Sequence, residues 1–439
     1  MSGPPIAPEQ RPIGRAIAAL ALLGVLFFST YAFANWAAGV RGGVPIVVFE
    51  WESRIPFVAW TILPYWSIDL LYGISVLICR TREELSLQVR RLLTAQVVAI
   101  GCFLAYPLRF SFDKPPADGV FGALFDALAG FDKPFNQAPS LHIILLIVIW
   151  ARLLAHISNP AARILLHSWM LLIGVSVLTT YQHHFIDIPT GVLAGFLCLW
   201  LWPERGVSPI RSALLTPDRR ARAIGARYAA GTLAAAVVAQ AGGGAWLWLW
   251  WPAVSLAIVA GNYVYFGVAG FQKQADGRLT VAAQWLLAPY LLGAWLNSRL
   301  WTRGQPEANH VADGVWLGRM PSTLEPRVPP FAGIIDLTAE LPAPAGAFGY
   351  GMFPILDLTA PSTEMLKGSA QAIERMRADG PVLVCCALGY SRSACAVAAW
   401  LLQTGRASDV AAATRLLTAA RPWVVLGPDH QACLGRMSP

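Results

Sequence analysis

Long apolar runs broken by short polar stretches fill residues 13–300 of this chain. After about residue 305 the pattern changes to short apolar stretches alternating with amphipathic ones. A helix needs about 20 apolar residues to cross a bilayer. Six such spans are expected in the first half, at roughly 14–34, 57–79, 91–108, 141–158, 164–182 and 187–203. Three more apolar stretches follow, near 228–242, 246–268 and 280–298. The first of these is short and rich in Ala and Gly, and Pro289 interrupts the third. Beyond them, strands are expected at Val315–Gly318, Gly333–Leu337, Phe353–Leu356 and Val382–Cys386. Ser362 can cap a helix to about Arg377, with Gly380 just past its end. Further helices fit 392–404, 407–420 and 428–436. This alternation predicts an α/β sheet domain.

Composition sharpens the division. The 439 residues are 56% hydrophobic and 13% charged, against about a quarter charged in soluble domains. The net charge of +8 comes largely from arginines between apolar runs. Arg80, Arg82, Arg90 and Arg91 follow the second span, and Arg152 and Arg163 flank the turn after the fourth. Arg205, Arg211, Arg219, Arg220, Arg222 and Arg227 follow the sixth. The positive-inside rule puts these loops and the N-terminus in the cytoplasm and turns the loop 109–140 outward. Topology accounts for the charge, so nucleic acid is not an expected partner. Arg11 and Arg15 precede the first run without a small-residue cleavage site, so a retained span is expected.

The expected organisation is a polytopic membrane domain at 1–205, a basic cytoplasmic linker at 206–227, additional membrane helices at 228–304 and a soluble-type domain at 305–439. Two crossings in 228–300 would leave the last domain inside and three would leave it outside. The inside is expected, because a thiolate survives in a reducing compartment and Arg299 and Arg303 flank the exit. The protein is thus expected in a bacterial-type inner or plasma membrane. Of seven cysteines, Cys79, Cys102 and Cys198 sit in or beside spans as packing residues. Cys385, Cys386, Cys395 and Cys433 lie in the last domain. None forms a Cys-x-x-Cys pair, so no metal is expected.

The stretch Val382-Leu-Val-Cys-Cys-Ala-Leu-Gly-Tyr-Ser-Arg-Ser-Ala394 carries the sharpest chemistry. A strand-like run leads into it and a helix-like run leaves it. Backbone N–H groups of a turn that opens a helix bind an anion, and the helix dipole adds to this. Gly389 lets the backbone approach a phosphate, with Ser391 beside it in the turn. Arg392 can hold two phosphate oxygens in a fork. The same positive field favours a thiolate at Cys386, the nucleophile that attacks phosphorus. Ser393 can hydrogen-bond that thiolate. Asp357, at the end of a strand-like run, is the candidate acid for the leaving oxygen. Asp336 also ends such a run and is expected to cap or solvate a loop.

With these residues, 307–436 resembles the dual-specificity branch of the cysteine-dependent protein tyrosine phosphatases. Val315-Trp-Leu-Gly fits that family's opening strand, Ile335-Asp-Leu-Thr its next and Arg421-Pro-Trp-Val its late helix-loop. The resemblance implies a central, mostly parallel sheet, Cys386 as nucleophile, Arg392 as phosphate clamp and Asp357 as general acid. Where the family usually has His before the nucleophile, this chain has Cys385. Ala387, Leu388 and Tyr390 are uncharged, where phosphatases of polyphosphoinositides tend to place basic residues.

A second set lies in the membrane part. The outward loop ends in Asn136-Gln-Ala-Pro-Ser-Leu-His142, and the next outward end reads Tyr181-Gln-His-His-Phe-Ile-Asp187. His183 and Asp187 are four apart, on one helical face. A carboxylate on an imidazole fixes its tautomer and supports its cation. His142 can protonate a leaving group, and Ser140 can bind a phosphate oxygen. Three histidines and an Asp converging on one membrane face point to a site.

Pro139-Ser-Leu-His142 and His183-x3-Asp187 resemble the type 2 phosphatidic acid phosphatase superfamily over about residues 55–205, and most of all its branch of inositol-phosphorylceramide synthases. The resemblance implies His142 as acid and His183 as nucleophile, with Asp187 orienting it; His184 is a rival three residues from Asp187. The family's Lys-x6-Arg-Pro motif is absent, leaving Arg109, Lys114 and Lys133 as substitutes. Val177 stands where the phosphatases carry Arg.

Taken together, the chain reads as a membrane enzyme with two phosphate sites. One is a cysteine-dependent phosphomonoesterase for a phosphoprotein or singly phosphorylated lipid. The other is a histidine-dependent lipid phosphatase or phosphotransferase. The alternative is a phosphoprotein phosphatase whose membrane half is only an anchor. Both mechanisms are covalent and call for no cofactor.

Overall fold

The computed structural model describes residues 10–321, 331–344, 346 and 349–437. The chain divides into two compact units, residues 1–205 and 206–439.

The first unit is helical. Its helices are α1 (Ile13–Arg41), α2 (Ile62–Leu77), α3 (Arg82–Ala105), α4 (Gly119–Phe131), α5 (Leu141–His156), α6 (Pro160–Thr179) and α7 (Asp187–Leu201). The caps are local: Thr81, Ser140 and Asn159 each accept a backbone N–H from the first turn of the helix that follows. That is the usual way to satisfy donors at a helix start. Thr81, with Glu83 and Glu84 in the first turn, starts α3 well before the apolar run near 91, because acidic side chains suit that end of the helix dipole. The short apolar α4 lies inside the loop read as outward and was not expected.

Among the described residues, four helical runs are long and apolar enough to cross a membrane: Ile13–Arg41, Arg82–Ala105, Pro160–Thr179 and Gly244–Phe271. By contrast α2, α5 and α7 have 16, 16 and 15 residues, short of the ~20 a straight crossing needs.

Two glycines set the approach of α5 and α7. A Cβ on Gly191 would lie 2.8 Å from Ile143 Cβ and 2.9 Å from Ser140 O, and one on Gly195 would lie 2.7 Å from Ile147 Cβ. Small residues one turn apart let helix backbones come close without a side chain between them. At the far ends of these helices, Arg91 and the fully buried Arg152 both engage Glu204, at 3.0 and 3.2 Å.

The second unit opens with α8 (Arg219–Gly242), capped by Asp218. A 3-10 turn leads into α9 (Trp250–Gly261), which runs on through a π turn (Asn262–Phe266) and a second 3-10 turn. A short bend bridged at Lys273 and Leu279 precedes α10 (Val281–Trp301), which continues past Pro289.

The sheet follows: β1 (Ala308–Ala312), β2 (Val315–Arg319), β3 (Gly333–Thr338), β4 (Gly349–Ile355) and β5 (Val382–Cys386), in the order β1-β2-β5-β3-β4. Only β1 runs antiparallel to its neighbour. Its hairpin turns on Asp313-Gly314, both at positive φ, the Asp-Gly pair that suits a two-residue hairpin turn. The remaining helices are α11 (Thr363–Met376), α12 (Arg392–Gln403), α13 (Val410–Ala420) and α14 (Pro428–Gly435).

Strands β3 and β5 are buried at every position, as expected for parallel strands covered on both faces. Because successive side chains alternate, Val382, Val384 and Cys386 join a core with α11 and α12. Leu383 and Cys385 face the other side, packing with Met320, Ile334 and Ala294 of α10.

Candidate functional site

The chain leaves β5 at Cys386, turns through 387–391 and enters α12 at Arg392. Gly389 has φ +75°, and a Cβ there would lie 2.5 Å from Gly318 O, so the turn needs glycine for both conformation and space. Its N–H donates to Cys386 Sγ at 3.3 Å, and the Ser393 hydroxyl donates to the same sulfur at 3.1 Å. The fully buried Arg421 ties back the outside of the turn: its Nε donates to Gly389 O at 3.0 Å and its Nη2 to Leu388 O at 3.1 Å. With those carbonyls occupied, the turn keeps its N–H groups for the centre. The Ser391 hydroxyl lies 3.1 Å from His430 Nε2, so the side chain of that residue is engaged outside the loop.

Arg392 is 2% exposed. Its guanidinium meets Glu340 in a two-pronged pair, at 2.6 and 2.9 Å, and donates to Ile355 O at 2.8 Å. Asp357 Oδ1 lies 3.1 Å from Arg392 Nη2. Burial works against the Arg392 charge, but the carboxylates of Glu340 and Asp357 outweigh it and raise its pKa. Burial likewise pushes Glu340 up, and Arg392 more than reverses this, holding the Glu340 carboxyl below the usual range. The fork is thus pre-aligned and charged, while the Asp357 side chain stays half-exposed. A cup with a sulfur floor, a fixed guanidinium and a half-exposed carboxyl at its lip can bind a phosphate monoester, accept it on sulfur and protonate the leaving oxygen.

One expectation needs correction here. Asp336 is not solvated: it is fully buried, caps the backbone that follows by accepting from Thr338 N at 2.7 Å, and also accepts from Lys273 and from Tyr350 Oη at 2.7 Å. Cys385, where the resembled family usually has His, is a core residue whose sulfur lies 4.0 Å from Met320 Sδ. Burial first, with the negative charge of Asp336, pushes its thiol up. Sequence reasoning also missed Glu340, Arg421 and Lys273. Arg421 stood in the Arg421-Pro-Trp-Val stretch without a role, and no motif announces Lys273; Glu340 follows the Ile335-Asp-Leu-Thr run and could have been suspected as a partner for a buried Arg.

In the first unit Ser140, His183 and Asp187 form a line. Ser140 Oγ lies 3.1 Å from His183 Nε2, and His183 Nδ1 lies 3.0 Å from Asp187 Oδ2. His184 is engaged elsewhere: its Nδ1 is 3.0 Å from Glu52 Oε2 and its Nε2 3.0 Å from Ser111 Oγ. The geometry therefore selects His183 as the partner of Asp187. His142 stacks on Tyr65, with ring centroids 4.2 Å apart. Its Nε2 is buried with no hydrogen-bond partner among the described residues.

His142 and His183 line a cavity of about 530 Å³ whose walls are mostly apolar, with Phe27, Phe28, Tyr65 and Leu145 among them. Among the described residues, Asp69 and Asp132 also line it and no Lys or Arg does. The candidate clamps Lys114 and Lys133 lie within electrostatic reach of Asp132.

Residues 330–437 match the family described as dual specificity phosphatase, catalytic domain. The second unit therefore contains a phosphatase catalytic domain of the dual-specificity type, and the chain carries a hydrolase domain. The match leaves the first unit outside it. Similar solved structures include human DUSP28, with 24% identity over 30% of this chain and 93% of that one at a TM-score of 0.28. PTPMT1 in complex with PI(5)P shows 20% identity over 30% and 94%, at 0.28. Tk-PTP in the active form shows 28% identity over 30% and 96%, at 0.27. No curated protein matches the chain.

Proposed function

We propose that this protein is a membrane-embedded phosphomonoesterase in which Cys386 attacks a singly phosphorylated substrate. The Cys386 thiolate forms a bond to phosphorus as the ester P–O bond breaks, and Asp357 gives its proton to the leaving oxygen. Water then attacks the cysteinyl phosphate, Asp357 takes the water's proton, and inorganic phosphate leaves with the sulfur again free. Arg392, held by Glu340, carries the charge on the equatorial oxygens.

The observation that supports this reading is the sulfur with two donors at 3.1 and 3.3 Å beside a guanidinium already paired with two carboxylates. The rim residues Ala387, Leu388 and Tyr390 add no charge, which favours one phosphate over several. Four helical runs suited to a bilayer favour a lipid phosphomonoester over a soluble phosphoprotein, and the reducing side of the membrane suits the thiol.

The test is turnover of phosphatidic acid, phosphatidylglycerol phosphate and a phosphotyrosine peptide by the full-length protein. Cys386→Ser should abolish release of phosphate from the preferred substrate. Unchanged turnover in that variant would remove the cysteine mechanism.

A second reading is carried by the cavity of the first unit. His183, oriented by Asp187, would take a phospho-group on nitrogen, with His142 as acid and Ser140 on a phosphate oxygen. Two carboxylates and no cation among the lining residues disfavour a dianionic monoester. They suit a lipid phosphodiester with one negative charge, and hence headgroup transfer. His183→Ala should abolish transfer of a labelled headgroup between lipids and leave the cysteine-dependent activity in place. A variant that transfers normally would reduce this half to an anchor.

A further inference from the structure

Tyr263 stands where α9 gives way to the π turn. A π turn inserts a residue into the helical repeat and re-aims the side chains after it, and such turns gather at functional sites. The Tyr263 ring is 2% exposed. Its hydroxyl donates to the main-chain oxygen of Asp357 at 2.9 Å. The ring is fixed from the side by Tyr228 of α8, stacked at 5.6 Å and 28°. Tyr228 in turn meets Tyr290 of α10 edge-on, at 5.8 Å and 79°. Helices α8 and α10 thus supply a pair of tyrosines that backs the Tyr263 ring.

The loop it grips has reason to need holding. Leu358, the next residue, has φ +60° and is 55% exposed. A left-handed conformation costs a non-glycine residue about 1–2 kcal/mol, and an exposed side chain recovers none of it by burial. Locally the turn is closed by Thr359, whose N–H and hydroxyl donate to Leu356 O at 3.3 and 2.8 Å, and the Tyr263 hydroxyl adds the hold on Asp357 O from outside the loop.

We propose that Tyr263 is a positioning residue of the phosphatase. Its hydroxyl sets the main chain of Asp357 so that the carboxyl stays over Arg392, within reach of the leaving oxygen. The segment α8–α10 is thereby part of the catalytic apparatus. This rests on the reading of Asp357 as general acid.

The test uses leaving groups. An activated aryl ester such as nitrophenyl phosphate departs as a stable anion and needs no proton, whereas an alkyl phosphate must be protonated as it leaves. In the full-length protein kcat/KM, which reports the steps up to loss of the leaving group, is measured on both esters for Tyr263→Phe and Asp357→Asn. The phenylalanine keeps the ring and its packing. Tyr263→Phe should lower kcat/KM on the alkyl ester by about 3- to 10-fold, the worth of one hydrogen bond, and leave the aryl ester within about twofold. Asp357→Asn should show the same discrimination, larger. Equal losses on both esters in Tyr263→Phe, or no loss on either, would overturn the positioning role while Asp357→Asn kept the acid assignment intact. If Asp357→Asn itself failed to discriminate, the acid assignment and the role of Tyr263 would fall together.

Discussion

Lys273 ties the bend before α10 to the phosphatase sheet, and its removal should be costly. The Lys273 side chain is 2% exposed and that of its partner Asp336 fully buried. The ammonium also donates to Thr338 O and Oγ1, both at 2.9 Å. Replacing it in Lys273→Met leaves a buried carboxylate without its counter-charge, a change that costs about 3–5 kcal/mol when nothing else compensates. Three donors remain on Asp336: Tyr350 Oη, Thr338 N and Thr338 Oγ1. Charge-assisted hydrogen bonds of this kind can hold part of the charge, so a net loss of about 2–4 kcal/mol is expected. For a unit of this size each kcal/mol moves the midpoint by about 2–4 °C. The temperature of half-loss of phosphomonoesterase activity in detergent should therefore fall by about 4–16 °C.

Asp336→Asn added to Lys273→Met removes the stranded charge but keeps an acceptor for Thr338 N. It should restore at least half of the loss. A single variant within about 1 °C of the parent, or a double variant no better than the single, would refute the account of this pair.

Three further outcomes follow from the same geometry. Gly389→Ala forces a side chain onto Gly318 O and into a positive φ, so kcat on an aryl phosphate should drop at least about 100-fold, the scale of losing an aligned anion donor. Glu340→Gln removes the charge that aligns Arg392, and kcat/KM on an aryl phosphate should fall by about 10- to 100-fold, at about 1.4 kcal/mol per decade. Because the Glu340 carboxyl is held low, its stabilisation is full above the ordinary carboxylate range and is lost as pH falls through the lowered value. Acid inactivation of Glu340→Gln should therefore vary less with pH over that window than in the parent. Gly191→Leu wedges α7 from α5 at Ser140 and Ile143; it should abolish any lipid headgroup transfer and leave aryl phosphatase turnover unchanged.

The phosphate cup was legible in the sequence because it is local. Cys386, Gly389, Ser393 and Arg392 fall within one strand-turn-helix, where spacing alone sets which groups can meet. The pairing of His183 with Asp187 is local for the same reason, four residues along one turn. Long apolar runs likewise announce helices, and short ones such as Val382–Cys386 announce buried strands, because burial is a property of the run itself.

What spacing could not supply were contacts made across the fold. Glu340 on Arg392, Arg421 on the turn's carbonyls and Lys273 on Asp336 join residues 52, 32 or more, and 63 positions apart. Each exists only once strands and helices have packed. Ser140 reaches His183 because Gly191 and Gly195 let α7 lie against α5. The choice between His183 and His184 was made by Glu52 and Ser111, far off in the chain, which claim the second ring. Sequence thus determined which candidate groups the chain carries; tertiary packing decided which of them are aligned, paired and shielded. The physical reason is that burial and a distant counter-charge, rather than the neighbours in sequence, set the state of an ionisable group.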